Sequence, residues 1–163
     1  MTHRPADPDL RTGRGVNRRL ALLAGAGALG AAGLGAANWF NILARTGAGE
    51  LSAEDAHAAA ARGELLLIDI RRPEEWRATG IGAGAIGLDM RRDDFVASLD
   101  RLAGGDRSRR IALICARGVR SRRTVARLRD AGFTEVLDVP EGMLGSGAGA
   151  GWLQRELPLQ EED

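Results

Sequence analysis

The sequence predicts an α/β fold of three layers, a central mostly parallel sheet with helices on both faces. Three observations carry this. Short, almost unbroken apolar runs lie at 65–70, 111–114 and 136–139, as in strands covered on both sides. Helix-length segments separate them, and repeated strand–helix–strand units close by right-handed crossovers into a parallel sheet. Glycines follow each helical stretch, at Gly63, Gly104-Gly105 and Gly132, where a helix ends most easily.

Taken in order, Ser52 with Asp55 three residues on resembles a capping box opening an Ala-rich helix of about ten residues. Leu65-Leu-Leu-Ile-Asp69-Ile70 is the first buried strand. Pro73-Glu-Glu-Trp76 suits the first turn of a short helix, with proline near its start and acids at the positive end. Gly80 to Gly87 reads as a glycine-dense turn before a short strand around Ile86. Asp93-Asp94 precedes a helical pattern running to Leu102. Ile111–Ile114 is the clearest strand, Val119–Asp130 the helix after it, and Val136–Val139 a closing strand. Gly142 to Trp152 reads as a flexible loop or a lid. Trp76 and Trp152 are expected in the packing, His57 on the surface, and Arg122 and Arg123 on an exposed helix face.

Length and charge bound the organisation. The 163 residues hold one ordinary domain with length left for tails. Of 23 basic residues, all arginine, five (Arg4, Arg11, Arg14, Arg18, Arg19) fall in 1–37, with only Asp7 and Asp9 of the 22 acids, leaving 18 against 20 for the remainder. The basic excess belongs to the N-terminus, so the body offers no nucleic-acid-binding surface. After Arg18-Arg19 no charge occurs until Arg45. A basic stretch before an apolar run is the layout of an export signal or of a membrane anchor, and the paired arginines resemble a twin-arginine signal. The expected organisation is a signal peptide or transmembrane anchor over 1–37, a linker over 38–50 and the domain over 51–160. Cleavage before Asn38 would release the domain. An uncleaved span over 20–44 would hold it to the membrane, and either way it lies on the periplasmic side.

The chain has one cysteine, Cys115, directly after the clearest strand and followed by Ala116-Arg117-Gly118-Val119-Arg120-Ser121. That order sets the sulfur in a loop at the strand's carboxyl end, where ligands bind in such sheets, and there it is expected to be open to solvent. Loop N–H groups, the positive end of the next helix and two arginines converge there, and all three favour the nucleophilic thiolate. A cysteine ending a buried strand is by itself as readily an inert apolar residue; its flanks decide. One cysteine excludes an intramolecular disulfide, a Cys-x-x-Cys site and a resolving thiol in the same chain. His3 and His57 are too few for a His-based metal site.

Cys115-x-x-Gly118-x-Arg120-Ser121 resembles the active-site loop of the rhodanese family of sulfurtransferases. Other stretches match in order: Asp69-Ile-Arg71 at a strand end, Ala131-Gly132-Phe133 before the last strand, and Glu141-Gly142-Met143 after it. Gly80-Ile-Gly-Ala-Gly-Ala85 stands where many members have Gly-His-Ile-Pro-Gly-Ala, and Glu141-Gly142 where Gly-Gly is common. The resemblance implies a rhodanese-like domain from about Leu51 to Leu159. Its catalytic residue would be Cys115, with a substrate loop of Ala116, Arg117, Gly118, Val119 and Arg120. Ser121, Asp69 and Arg71 would support that loop. A ring of loop N–H groups would hold the outer sulfur of a persulfide as a nest holds an anion, Gly118 supplying the positive φ. Arg117 and Arg120 would hold the sulfonate end of a thiosulfate-like donor. Phosphatases of the Cys-x5-Arg type are set apart by the shorter Cys-x4-Arg spacing here.

The expected activity is transfer of a sulfane sulfur from a small anionic donor to an external thiol or cyanide, with no metal and no organic cofactor. A non-catalytic persulfide carrier and a thiol redox sensor are the alternatives.

Overall fold

A computed structural model describes residues 49–161. The expected leader and most of the linker lie outside these residues, and among those described no helix is long and apolar enough to cross a membrane.

Helix α1 (Ala53–Ala61) is capped by Ser52, whose side chain accepts the Asp55 N–H at 3.1 Å. Ala53, Ala56 and Ala59, at helical spacing, form its buried face. Strand β1 (Leu66–Asp69) follows, then helix α2 (Pro73–Thr79) with Pro73 at its start. The backbone N–H of Arg72 donates to the Glu75 side chain at 3.0 Å, fixing the first turn of α2. Two short strands come next, β2 (Ile81–Gly82) and β3 (Ala85–Gly87), then helix α3 (Phe95–Leu102). Strand β4 (Ile111–Ile114), helix α4 (Val119–Asp130), strand β5 (Val136–Val139) and strand β6 (Leu159–Gln160) complete the order.

The main sheet runs β3-β1-β4-β5 and every neighbouring pair is parallel. Residues alternate between its faces. On one face Leu67, Ala112, Ile114 and Val139 pack with α1, Met143 and Trp152. On the other, Ile68, Ile111, Leu113, Cys115 and Val136 pack with Phe95 and Leu99 of α3 and Val125 and Leu128 of α4. Both faces are covered, as the apolar runs require.

Two features depart from the sequence reading. The stretch expected as a turn over Gly80–Gly87 contains β2, which pairs antiparallel with β6 through Ile81↔Gln160 and Gly82↔Leu159. Gly82 is needed there because a Cβ would stand 2.6 Å from the Trp152 ring. His57, expected at the surface, instead packs edge-on against Trp152 with ring centroids 5.2 Å apart, and its Nδ1 is buried without a partner. Its helix lies over the buried indole, which draws the imidazole inward.

Candidate active site

All four residues of β4 are buried, and the chain leaves the sheet at Cys115. It turns at Gly118, which has φ 78° and caps α4, a conformation other residues adopt at a cost. The first turn of a helix leaves its N–H groups without intrahelical acceptors. Here the Ser121 N–H meets Cys115 Sγ at 3.4 Å, and the Ser121 hydroxyl lies at 3.4 Å from the same atom. Ser121 is the third residue of α4. Its hydroxyl also donates to the Gly118 carbonyl at 3.2 Å.

The segment after β5 closes over this loop. The Met143 N–H donates to the Cys115 carbonyl and the Leu144 N–H to the Ala116 carbonyl, both at 2.9 Å. Gly142, with φ 66°, passes so close that a Cβ there would stand 2.6 Å from the Ala116 oxygen. Glu141 turns away, accepting the Ala53 N–H at 2.7 Å and the Arg155 guanidinium at 2.7 Å. It thereby caps α1 and fixes the segment that overlies the cysteine loop. Ser146 and Gly149 bond to each other's backbone, and the wholly buried Trp152 anchors the far end.

Cys115 was expected to be open to solvent, yet it is only 1% exposed. The overlying segment and the first turn of α4 enclose it. It still borders a cleft of about 540 Å³ shared with Arg72, Glu75, Arg117, Arg120, Arg123 and Leu144. The Arg117 guanidinium donates to the Gly145 carbonyl at 3.1 Å, and both residues also border a neighbouring hollow of about 600 Å³. Arg120 does not face the cleft alone, since its two terminal nitrogens donate to Glu75 at 2.7 and 2.6 Å. Burial opposes ionisation of Glu75, but the bonds from Arg120 and Arg72 outweigh it and hold its carboxyl below the usual range. The same bond raises Arg120, and the nearby Cys115 sulfur adds to that rise.

Asp69 and Arg71 sit at the end of β1 as a buried pair, with Nη2 at 2.7 Å from Oδ2. The remaining Arg71 donors go to the Thr79 hydroxyl and the Gly80 carbonyl, at 2.9 and 2.7 Å. The pair thus fixes the α2–β2 junction, and its side-chain hydrogen bonds do not reach the cysteine loop. Arg122 and Arg123 are exposed on α4, and Arg123 also borders the cleft. Among the described residues no cluster of His, Cys, Asp and Glu is placed to hold a metal ion.

Sequence reasoning missed Glu75, Glu141 and Asp138. Glu75 stood in view beside Pro73, but its partner is 45 residues away. Asp138, 3% exposed, was signalled by an acid inside an apolar four-residue strand.

With this geometry in place, comparison with known families decides the matter: residues 52–146 match the Rhodanese-like domain. The chain belongs to the rhodanese-like domain family. Among solved structures, this rhodanese-like chain is similar to a thiosulfate sulfurtransferase from Pseudomonas aeruginosa, at 26% identity and a TM-score of 0.55. The match covers 70% of this chain and only 20% of that one. A polysulfide-sulfur transferase homodimer from Wolinella succinogenes is 24% identical with a TM-score of 0.54, covering 70% of this chain and 79% of that one. The Alr3790 protein from Anabaena is 22% identical with a TM-score of 0.51, covering 65% and 79%. The last two likenesses concern the fold. No curated protein matches the chain.

Proposed function

We propose that this rhodanese-like chain is a sulfurtransferase acting through a persulfide on Cys115. The observation that carries this reading is the sulfur's place at the carboxyl end of β4, bordering a cleft with Arg117 and Arg120 and facing the Ser121 N–H at 3.4 Å. The Cys115 thiolate attacks the sulfane sulfur of an anionic donor such as thiosulfate. A sulfur–sulfur bond forms to Cys115, the donor's sulfur–sulfur bond breaks, and sulfite leaves with the electron pair. An external thiolate or cyanide then attacks the outer sulfur and restores the Cys115 thiolate, a two-step exchange with ping-pong kinetics. The route uses no metal and no organic cofactor. Arg117 and Arg120 favour an anionic donor by charge, and the orphan N–H groups of the first turn of α4 favour negative sulfur.

The Glu75–Arg120 pair favours a second reading. It engages two of Arg120's five N–H donors on a carboxylate, which suits a carrier loaded by a partner more than an enzyme that captures thiosulfate. Thiosulfate:cyanide turnover by the full chain and its Cys115→Ser variant separates them. Sustained turnover lost in the variant supports the enzyme; a single loading that then stalls supports the carrier; equal rates in both chains overturn sulfur chemistry at Cys115.

The sequence further supports export by the leader over 1–37, with the linker at 38–50 and the domain over 51–160 on the periplasmic side. A reporter that works only outside the cytoplasm, fused after Asp163, is expected to be active, and an inactive one contradicts export.

A further inference from the structure

Asp138 lies on β5 in register with Leu113 of β4. Along β4, Leu113 and Cys115 belong to the face under α3 and α4, and along β5 so does Val136, two residues before Asp138. Alternation therefore puts the Asp138 side chain on the Cys115 face, one strand over and beneath α4. It is 3% exposed, and neither carboxylate oxygen has a hydrogen-bond partner. Among the described residues no other carboxylate has both oxygens buried and orphaned. Buried polar groups are ordinarily satisfied, so this exception calls for a reason.

The groups around it are few. Burial pushes the Asp138 carboxyl up to about 6; the Ser121 hydroxyl and the Arg122 guanidinium on α4 act against that rise, while Glu50 on the entering chain adds to it. Glu50 bridges to Asp138 along the sheet edge. Ser121 is wholly buried, acts on Asp138 without closing a hydrogen bond, and already touches Cys115 Sγ through both its N–H and its hydroxyl. A serine hydroxyl has one hydrogen to give. The Gly118 carbonyl is a third neighbour, 3.2 Å from the hydroxyl, and whichever neighbour receives the hydrogen, the others go without.

We propose that Asp138 is a positioning residue for Cys115: uncharged, it gives its acid hydrogen to the Ser121 oxygen and leaves the Ser121 hydrogen free to turn from the Gly118 carbonyl to the sulfur; ionised, it draws that hydrogen away. The proposal rests on Cys115 working as a sulfur nucleophile, since only a negative sulfur gains from the donated hydrogen. The Asp138 O–H bond breaks on ionisation, its proton going to solvent, and otherwise only hydrogen bonds change. The neutral acid and the negative sulfur therefore support one another, and a proton on Asp138 keeps Cys115 ready for its donor.

The test is an ultraviolet titration of the thiolate. The chain has one cysteine and no tyrosine, so the absorbance change, corrected with Cys115→Ser, reports Cys115 alone. Asp138→Asn keeps a hydrogen toward Ser121 and cannot ionise. Cys115 is expected to ionise at lower pH in that variant, giving about tenfold more thiolate below the midpoint. Adding Ser121→Ala is expected to remove more than half of the shift. Superimposed titrations of the parent and Asp138→Asn overturn the proposal, as does a shift that is undiminished beside Ser121→Ala. If circular dichroism shows Asp138→Asn unfolded, Asp138→Leu carries the same two expectations, because it too abolishes the ionised acid. The titration needs no sulfur donor, so failed turnover and a failed relay remain distinguishable.

Discussion

Asp69 and Asp138 are buried acids on parallel strands of one sheet, and they are treated in opposite ways. Asp69 receives the Arg71 backbone N–H and guanidinium, with the pair's side chains 0% and 2% exposed. Neither carboxylate oxygen of Asp138 has a hydrogen-bond partner. A paired buried charge rigidifies what it touches, here the α2–β2 junction, and becomes expensive only when one partner is removed. An unpaired buried acid avoids its charge instead, by keeping its proton. The first is scaffold, and the second can respond to its surroundings.

The largest expected effect breaks the scaffold side of this contrast. Arg71→Leu strands the Asp69 carboxylate and is expected to cost about 3–5 kcal/mol, lowering the thermal midpoint by roughly 15 °C or more. The double change Asp69→Leu with Arg71→Leu is expected to recover much of the loss. Calorimetry that finds the single change nearly neutral would show that the pair does not behave as buried charge.

Asp138 is expected to make the stability of the fold depend on pH. Its pKa is raised by folding from 3.8 to about 6, so its contribution is fully present below the unfolded value and is lost as pH rises through about 6. The parent chain should lose about 3 kcal/mol over that window from this group. Asp138→Asn should lack the decline and match or exceed the parent's stability at neutral pH. Urea unfolding of both chains at several pH values checks this, and a constant difference between them would refute it.

Gly142→Ala should cost about 1–3 kcal/mol for backbone held at φ 66°. Because the added Cβ meets the Ala116 carbonyl, the cysteine loop must also shift, and turnover should fall more than the stability loss explains. Stability and turnover measured together give the answer, and unchanged turnover would mean that the overlying segment does not set the loop. The smallest effect on stability is expected for Glu75→Gln, whose partly exposed pair contributes about 1 kcal/mol or less. Freeing two Arg120 donors for an anionic substrate should nonetheless speed donor turnover, about threefold; a kinetic comparison at matched folding checks it, and an unchanged rate would show that the pair does not limit donor capture.

The same contrast explains what could be read from residues alone. β1, β4, β5 and α4 were legible because apolar runs and glycine stops are local signals. β2 and β6 were not, since two residues each carry no period, and they exist only through pairing with one another. The cysteine loop was legible down to the positive φ at Gly118. The burial of Cys115 was not, because it depends on Met143 and Leu144 returning from after β5. Glu141 escaped for the same reason, as the N–H it caps lies 88 residues away. Asp138 was visible as an acid in an apolar strand, but its orphaned state depends on what α4 fails to offer it.

The central claim is tested most directly by intact mass spectrometry of the full chain after exposure to thiosulfate. A gain of about 32 Da, one sulfur atom, is expected on the parent, removed by cyanide and absent from Cys115→Ser. A parent chain that gains nothing, or a gain that survives Cys115→Ser, would contradict it.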